Sequence, residues 1–149
     1  MTEHRLSTQD VLDIFRELPQ HRGCAVAELD AVEKQLAVSL PKFYRDMMLL
    51  DAYRLYNTEI FVPVSELCDW TRTALHDFDR GTVRTLSPND VIFAVAPGAE
   101  DNYYFLADGS DDPPVYGLSL NTSNPSTPNV IADALSFFTA EILRSSLRL

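Results

Sequence analysis

The sequence predicts a single α+β domain over residues 1–149, an antiparallel meander sheet with helices packed on one of its sides. Three observations predict it. Apolar residues recur with helical spacing in the first fifty positions, three short β-prone runs with turn residues between them occupy the middle, and helical spacing returns at the end. A chain of 149 residues is of ordinary single-domain length. Its 46% hydrophobic content supports a core without metal or disulfide.

Ser7 followed by Asp10 is a capping-box spacing, and Val11, Ile14, Phe15 and Leu18 then repeat at i, i+3, i+4, i+7 until Pro19. A second helix is expected from about Ala27 to Leu36. A third, opened by Pro41 and running to about Leu50, carries Phe43, Tyr44, Met47, Met48 and Leu50 and should be the best buried. The run Ile60–Val64 is β-prone, but Pro63 demotes it to an edge or strand end. Ser65 to about Phe78 reads as a helix, with Leu67, Trp70, Ala74 and Phe78 on one face, which places Trp70 in the core. Gly81 and Ser87–Asp90 are breakers.

Strands are expected at Val91–Ala96, Asn102–Ala107 and Val115–Leu120. Pro97-Gly98 and Asp108-Gly109 supply the intervening turns. Connections this short favour antiparallel neighbours. Asn121–Pro128 has loop composition, and a last helix is expected over about Val130–Arg148 through Ile131, Leu135, Phe138 and Ile142. With helices on one sheet face, the other should be open to water or to a partner.

Charge narrows the function. Twenty-two Asp and Glu against twelve Lys and Arg give a net charge of −10. No Lys, Arg or His occurs between Arg84 and Arg144. Such a field repels phosphate backbones and anionic membranes, so neither nucleic acid nor membrane is an expected partner; a basic protein is. No apolar run approaches a membrane span, and the polar N-terminus lacks a signal-peptide core, so a cytoplasmic location is expected. Cys24 and Cys68, without a CxxC pattern, read as reduced thiols in such a compartment.

Several clusters carry the residue types of a chemical site without its arrangement. His21 and Cys24 lack a nameable orienting group or oxyanion loop. His76-Asp77-Phe78-Asp79 has ligand letters, but adjacent side chains on a helix diverge. Asp108-Gly109-Ser110-Asp111-Asp112 lacks the order and terminal glutamate of a calcium loop, and reads first as a turn. No phosphate loop, GxSxG or GxGxxG occurs. The expectation is a non-enzyme with no cofactor and no metal.

One stretch is more specific. In the order Glu33, Leu36, Leu40, Pro41, Tyr44, the segment Glu28–Leu50 resembles the signature of the SMI1/KNR4, or SUKH, superfamily. Ala37 departs from that pattern, standing where the family usually has glycine, and a less sharply broken helix end is expected there. Pro114-Val115-Tyr116 and Ser136-Phe137-Phe138 resemble its later elements, so the resemblance spans about residues 8–143. It implies a non-enzymatic binding fold. Many bacterial members resemble immunity proteins that block a polymorphic or contact-dependent toxin, often a nuclease or deaminase, by direct binding. Others resemble intracellular scaffold or regulatory modules, the alternative reading here.

The expected binding surface is the acidic and aromatic part of the meander: Glu100, Asp101, Tyr103, Tyr104, Asp108, Asp111 and Asp112. Alternation sends Tyr103 and Phe105 to one sheet face and Tyr104 to the other. An exposed tyrosine ringed by carboxylates has the composition of a hot spot for a basic surface.

Overall fold

The computed structural model describes residues 7–19, 21–58, 60–78, 89–95, 101–119 and 129–147. Three helices come first: α1 (Thr8–Glu17), α2 (Val26–Leu36) and α3 (Lys42–Tyr56). A 3-10 turn (Val64–Glu66) leads directly into α4 (Leu67–Phe78). Four strands follow, β1 (Asp90–Val95), β2 (Asp101–Leu106), β3 (Val115–Ser119) and β4 (Asn129–Ala132), and α5 (Leu135–Leu147) closes the chain. The sheet order β1-β2-β3-β4 is an antiparallel meander, as the short connections require.

The strand bounds of β1 to β3 fall within one residue of expectation. The fourth strand corrects it: Asn129–Ala132 pairs with β3 through Val115↔Ala132 and Tyr116↔Val130. Val130 and Ile131 are β-branched residues that fit a pleated edge as well as a helix start, and only the long-range pairing decides between them. The expected features at Gly81, Ser87-Pro88, Pro97-Gly98 and Asn121–Pro128 lie outside the described residues.

Local chemistry accounts for the helix ends. Ser7 and Asp10 form the reciprocal capping box, with each side chain accepting the other's backbone N–H. Glu28 accepts the N–H of Ala25 ahead of α2. α2 stops abruptly because Ala37 adopts the left-handed conformation at φ 54°, ψ 48°, with its N–H returning to the Glu33 carbonyl. The expected loss of sharpness at this glycine position does not occur; the alanine takes up the glycine geometry and bears its steric cost.

Glu33 then fixes the route into α3. One carboxylate oxygen accepts the Leu40 N–H at 2.8 Å, and the other accepts from Arg45 at 2.8 Å. The matched motif is thereby a clamp between the end of α2 and the start of α3. Tyr44, eleven residues on from Glu33 in the same motif, is wholly buried with its ring 5.4 Å from Phe105 and 6.4 Å from Phe93.

α3 is broken at Asp51, whose φ/ψ of −160°, 62° interrupts the helix one residue beyond the expected end. The segment Arg22–Cys24 satisfies the freed backbone groups: Cys24 donates to the Met48 carbonyl, and Tyr53 donates to that of Arg22. Gly23 makes this approach possible, since a Cβ there would sit 1.8 Å from the Leu49 carbonyl oxygen.

The core lies between α1, α2, α3 and α5 and one sheet face, where Phe93 stacks on Phe105 at 4.9 Å and meets Phe138 at 5.5 Å. Outside β1, Phe61 bridges Ala94, with Val62 donating to Phe93 and Val95 to Ile60, so the Ile60–Val64 run does border the sheet. The far face is not open at its first two strands: Ile92 and Tyr104, paired across β1 and β2, are both fully buried.

Candidate partner-binding surface

Between β2 and β3 the chain makes the acidic turn 107–113, held at every step. Ala107 donates to the Asn89 carbonyl, and Asp108 bridges Ser39 in parallel sense. Asp108 also accepts the Ser110 N–H at 3.2 Å, a side-chain turn around Gly109, whose φ is +102°. The Asp111 carbonyl accepts the N–H of Phe43 in the first turn of α3, and the Pro113 carbonyl accepts that of Leu135 at the start of α5. The Asp112 carboxylate takes the N–H of Ser136 at 2.8 Å and its hydroxyl at 2.6 Å. The turn thus closes the N-termini of two helices, where unpaired N–H groups and the positive dipole end favour oxygen and negative charge.

This sorts the seven sequence candidates. The side chains of Asp108 and Asp111 are exposed. That of Asp112 is half-buried and engaged in capping α5. Tyr103 faces the core, its ring 5.3 Å from Phe138. Tyr104 is fully buried and stacked on Tyr116 at 5.3 Å, which corrects the expectation of an exposed ring; alternation gave its face correctly but not what covers that face. Asp101 begins β2, about 17 Å along the strand from its other end. Glu100 lies outside the described residues.

The surroundings of the turn are less uniformly acidic than the sequence interval implied. A groove of about 360 Å³ between α1 and α3 adjoins Asp111 and is walled by Gln9, Arg16, Lys42, Asp46 and Leu49. Lys42 donates to Asp46 at 2.6 Å, and that bond, with the nearby charges of Asp46 and Asp111, holds its ammonium above the ordinary lysine range. A wider concavity of about 530 Å³ opens at the α3 kink, lined by His21, Arg22, Asp51, Tyr53, Arg54 and Asn57. There the buried Asp51 carboxylate accepts from Arg54 at 2.8 Å and from the Arg22 N–H at 3.2 Å, and the Arg22 guanidinium lies 4.1 Å above the Tyr53 ring. Nothing in the local sequence announced this cleft, because it depends on a helix break that long-range hydrogen bonds stabilise.

The chemical candidates set aside earlier also have positions. Cys24 and Cys68 are free thiols. Burial pushes both thiol pKa values up, aided at Cys24 by the Glu28 charge, which is opposite to the shift an activated nucleophile needs. Among the described residues, no group of three or more His, Cys, Asp or Glu converges on a metal position. None of the described helices is long and apolar enough to cross a membrane.

The Glu33 clamp, the buried Tyr44 and the helix–meander–helix order together make up a fold that can be compared with known families. The family model of SMI1 / KNR4 (SUKH-1) matches residues 23–141. The chain belongs to the SMI1 / KNR4 family. No curated protein matches it. The SUKH-1 match begins at Gly23, the residue that lets the chain approach the α3 kink, and ends within α5. Family membership carries with it the α+β fold and a protein-binding role in general.

Proposed function

We propose that this SUKH-1 domain is an immunity protein, neutralising a cognate toxin by binding it directly and covering its active site or substrate groove. Asp108 and Asp111 would lead the contact. What supports this reading is the anchoring of the acidic turn. Two carboxylates are presented to solvent on a segment already fixed to α3 and α5, so little chain entropy is lost when a basic surface docks. Bidentate Arg–carboxylate contacts would add orientation, and a charge-steered encounter would slow as salt rises.

The test is co-expression with the toxin domain encoded by the neighbouring reading frame. Wild type should protect, and the D108N/D111N double variant should bind more slowly, with a weaker salt dependence. Asp112 is left out of this variant because its carboxylate caps α5. Full protection and an unchanged, salt-independent on-rate in the double variant would remove the electrostatic part of the proposal. Absence of any protection by wild type would favour a scaffold or regulatory module that recruits an intracellular protein.

A further inference from the structure

The 3-10 turn and α4 form one continuous rod with two opposite stripes. Val64, Leu67, Cys68 and Thr71, at i, i+3, i+4, i+7, are buried. Glu66, Asp69, Trp70 and Thr73 repeat that spacing about 200° around the helix, and all four are exposed. This corrects the expected core position of Trp70. Thr71 takes the inward place because its hydroxyl accepts the Ile92 N–H of β1 at 3.0 Å, a bond that tryptophan cannot supply.

Trp70 is the chain's single tryptophan, and 38% of its surface is in water. Its neighbours on the stripe are two carboxylates, Glu66 and Asp69. Asp13, Asp30, Glu33, Asp46, Asp51 and Glu141 are each ion-paired to an arginine or lysine. No side-chain hydrogen bond or ion pair within the described residues engages Glu66 or Asp69. The nearest cation along the helix, Arg72, donates to the Gln35 carbonyl instead. Negative charge at a helix start is favourable in its own right, which accounts for two acids there but not for an exposed indole beside them.

We infer that this stripe is a receptor for a lysine or arginine side chain of a basic protein partner. The cation lies over the indole face while Glu66, one turn back on the same stripe, takes its N–H groups and Asp69 adds negative charge beside them. Tryptophan is the strongest aromatic partner for a cation, and indole and guanidinium are the side chains most enriched at binding hot spots. The net charge of −10 favours the same partner. This inference rests on the partner-binding reading above and places a second contact outside the acidic turn.

Because Trp70 is the sole tryptophan, its emission reports on this stripe alone. The full chain is titrated with an arginine-rich peptide, and with a glutamate-rich peptide of equal length as control. The arginine peptide should give a saturable change in emission that the glutamate peptide does not. Its affinity should fall roughly tenfold in E66Q/D69N and stay within about twofold in D108N/D111N. An unchanged emission, a response that E66Q/D69N leaves intact, or equal weakening by both double variants would overturn the inference. Protection from a toxin does not enter this readout, so a silent Trp70 leaves the immunity proposal to its own test.

Discussion

Asp112 caps Ser136 across twenty-four residues of sequence, its two carboxylate oxygens taking the backbone N–H and the hydroxyl of that one residue. A residue in an acidic turn is thereby a structural part of the closing helix. Asp112→Ala leaves the Ser136 N–H in a half-buried position without its acceptor, and should cost about 1–2 kcal/mol in urea-induced unfolding. Asp112→Asn keeps one acceptor and should cost less. Equal stability of all three proteins would show that the bond contributes nothing net.

Ala37 at φ 54° should be a site of easy stabilisation. A Cβ in the left-handed region costs about 1–2 kcal/mol, and the extra freedom of glycine in the unfolded chain returns part of that. Ala37→Gly is expected to raise unfolding free energy by roughly 0.5–1 kcal/mol. A loss of stability in the glycine variant would contradict the strained cap.

Thr71 satisfies an N–H on β1 that the strand ladder does not. Thr71→Val preserves shape but strands the Ile92 N–H in a buried position, at about 1–3 kcal/mol. Thr71→Ser should recover most of that loss. Protection of the Ile92 amide against hydrogen exchange gives the residue-level check, and should fall in the valine variant only.

Tyr44 links the motif to the pH dependence. Its hydroxyl has no hydrogen-bond partner among the described residues, and burial raises its pKa well above the ordinary 10.0. Burial also raises that of Tyr56, to about 12. Both phenols keep their protons in the folded state after unfolded tyrosines would release theirs. Stability is therefore full below pH 10.0 and falls as pH rises towards 12. Tyrosinate absorbance should appear together with loss of the fold. Tyr44→Phe should be neutral or slightly stabilising at pH 7 and should flatten the alkaline decline. An unchanged alkaline limb would assign that decline to other groups.

Legibility of the site followed the range of the interactions involved. The expectation that Asp108 and Asp111 sit in a turn rested on Asp-Gly chemistry, which is local, and both stand there with exposed side chains. Asp112, Tyr103 and Tyr104 have neighbours in the chain that resemble those of the exposed residues, yet their partners are Ser136, Phe138 and Tyr116. No window around residue 104 contains those contacts. Trp70 departs from its expected core position for a related reason. Leu67 is compatible with a buried stripe through either Trp70 or Thr71, and the choice belongs to an edge strand twenty-one residues away.

The sequence by itself determined the α+β class, the first three strands to within a residue, the capping box at Ser7 and the Glu33–Tyr44 motif that marks the family. Each rests on periodicity, turn chemistry or spacing within a dozen or so residues. Only the tertiary structure decided that Asn129–Ala132 is a strand, that α3 breaks at Asp51 against Arg22–Cys24, and that one acidic turn closes two helices. These depend on backbone and side-chain groups finding partners far along the chain. A buried N–H or carboxylate must be satisfied wherever the fold brings it, and local sequence does not record where that is.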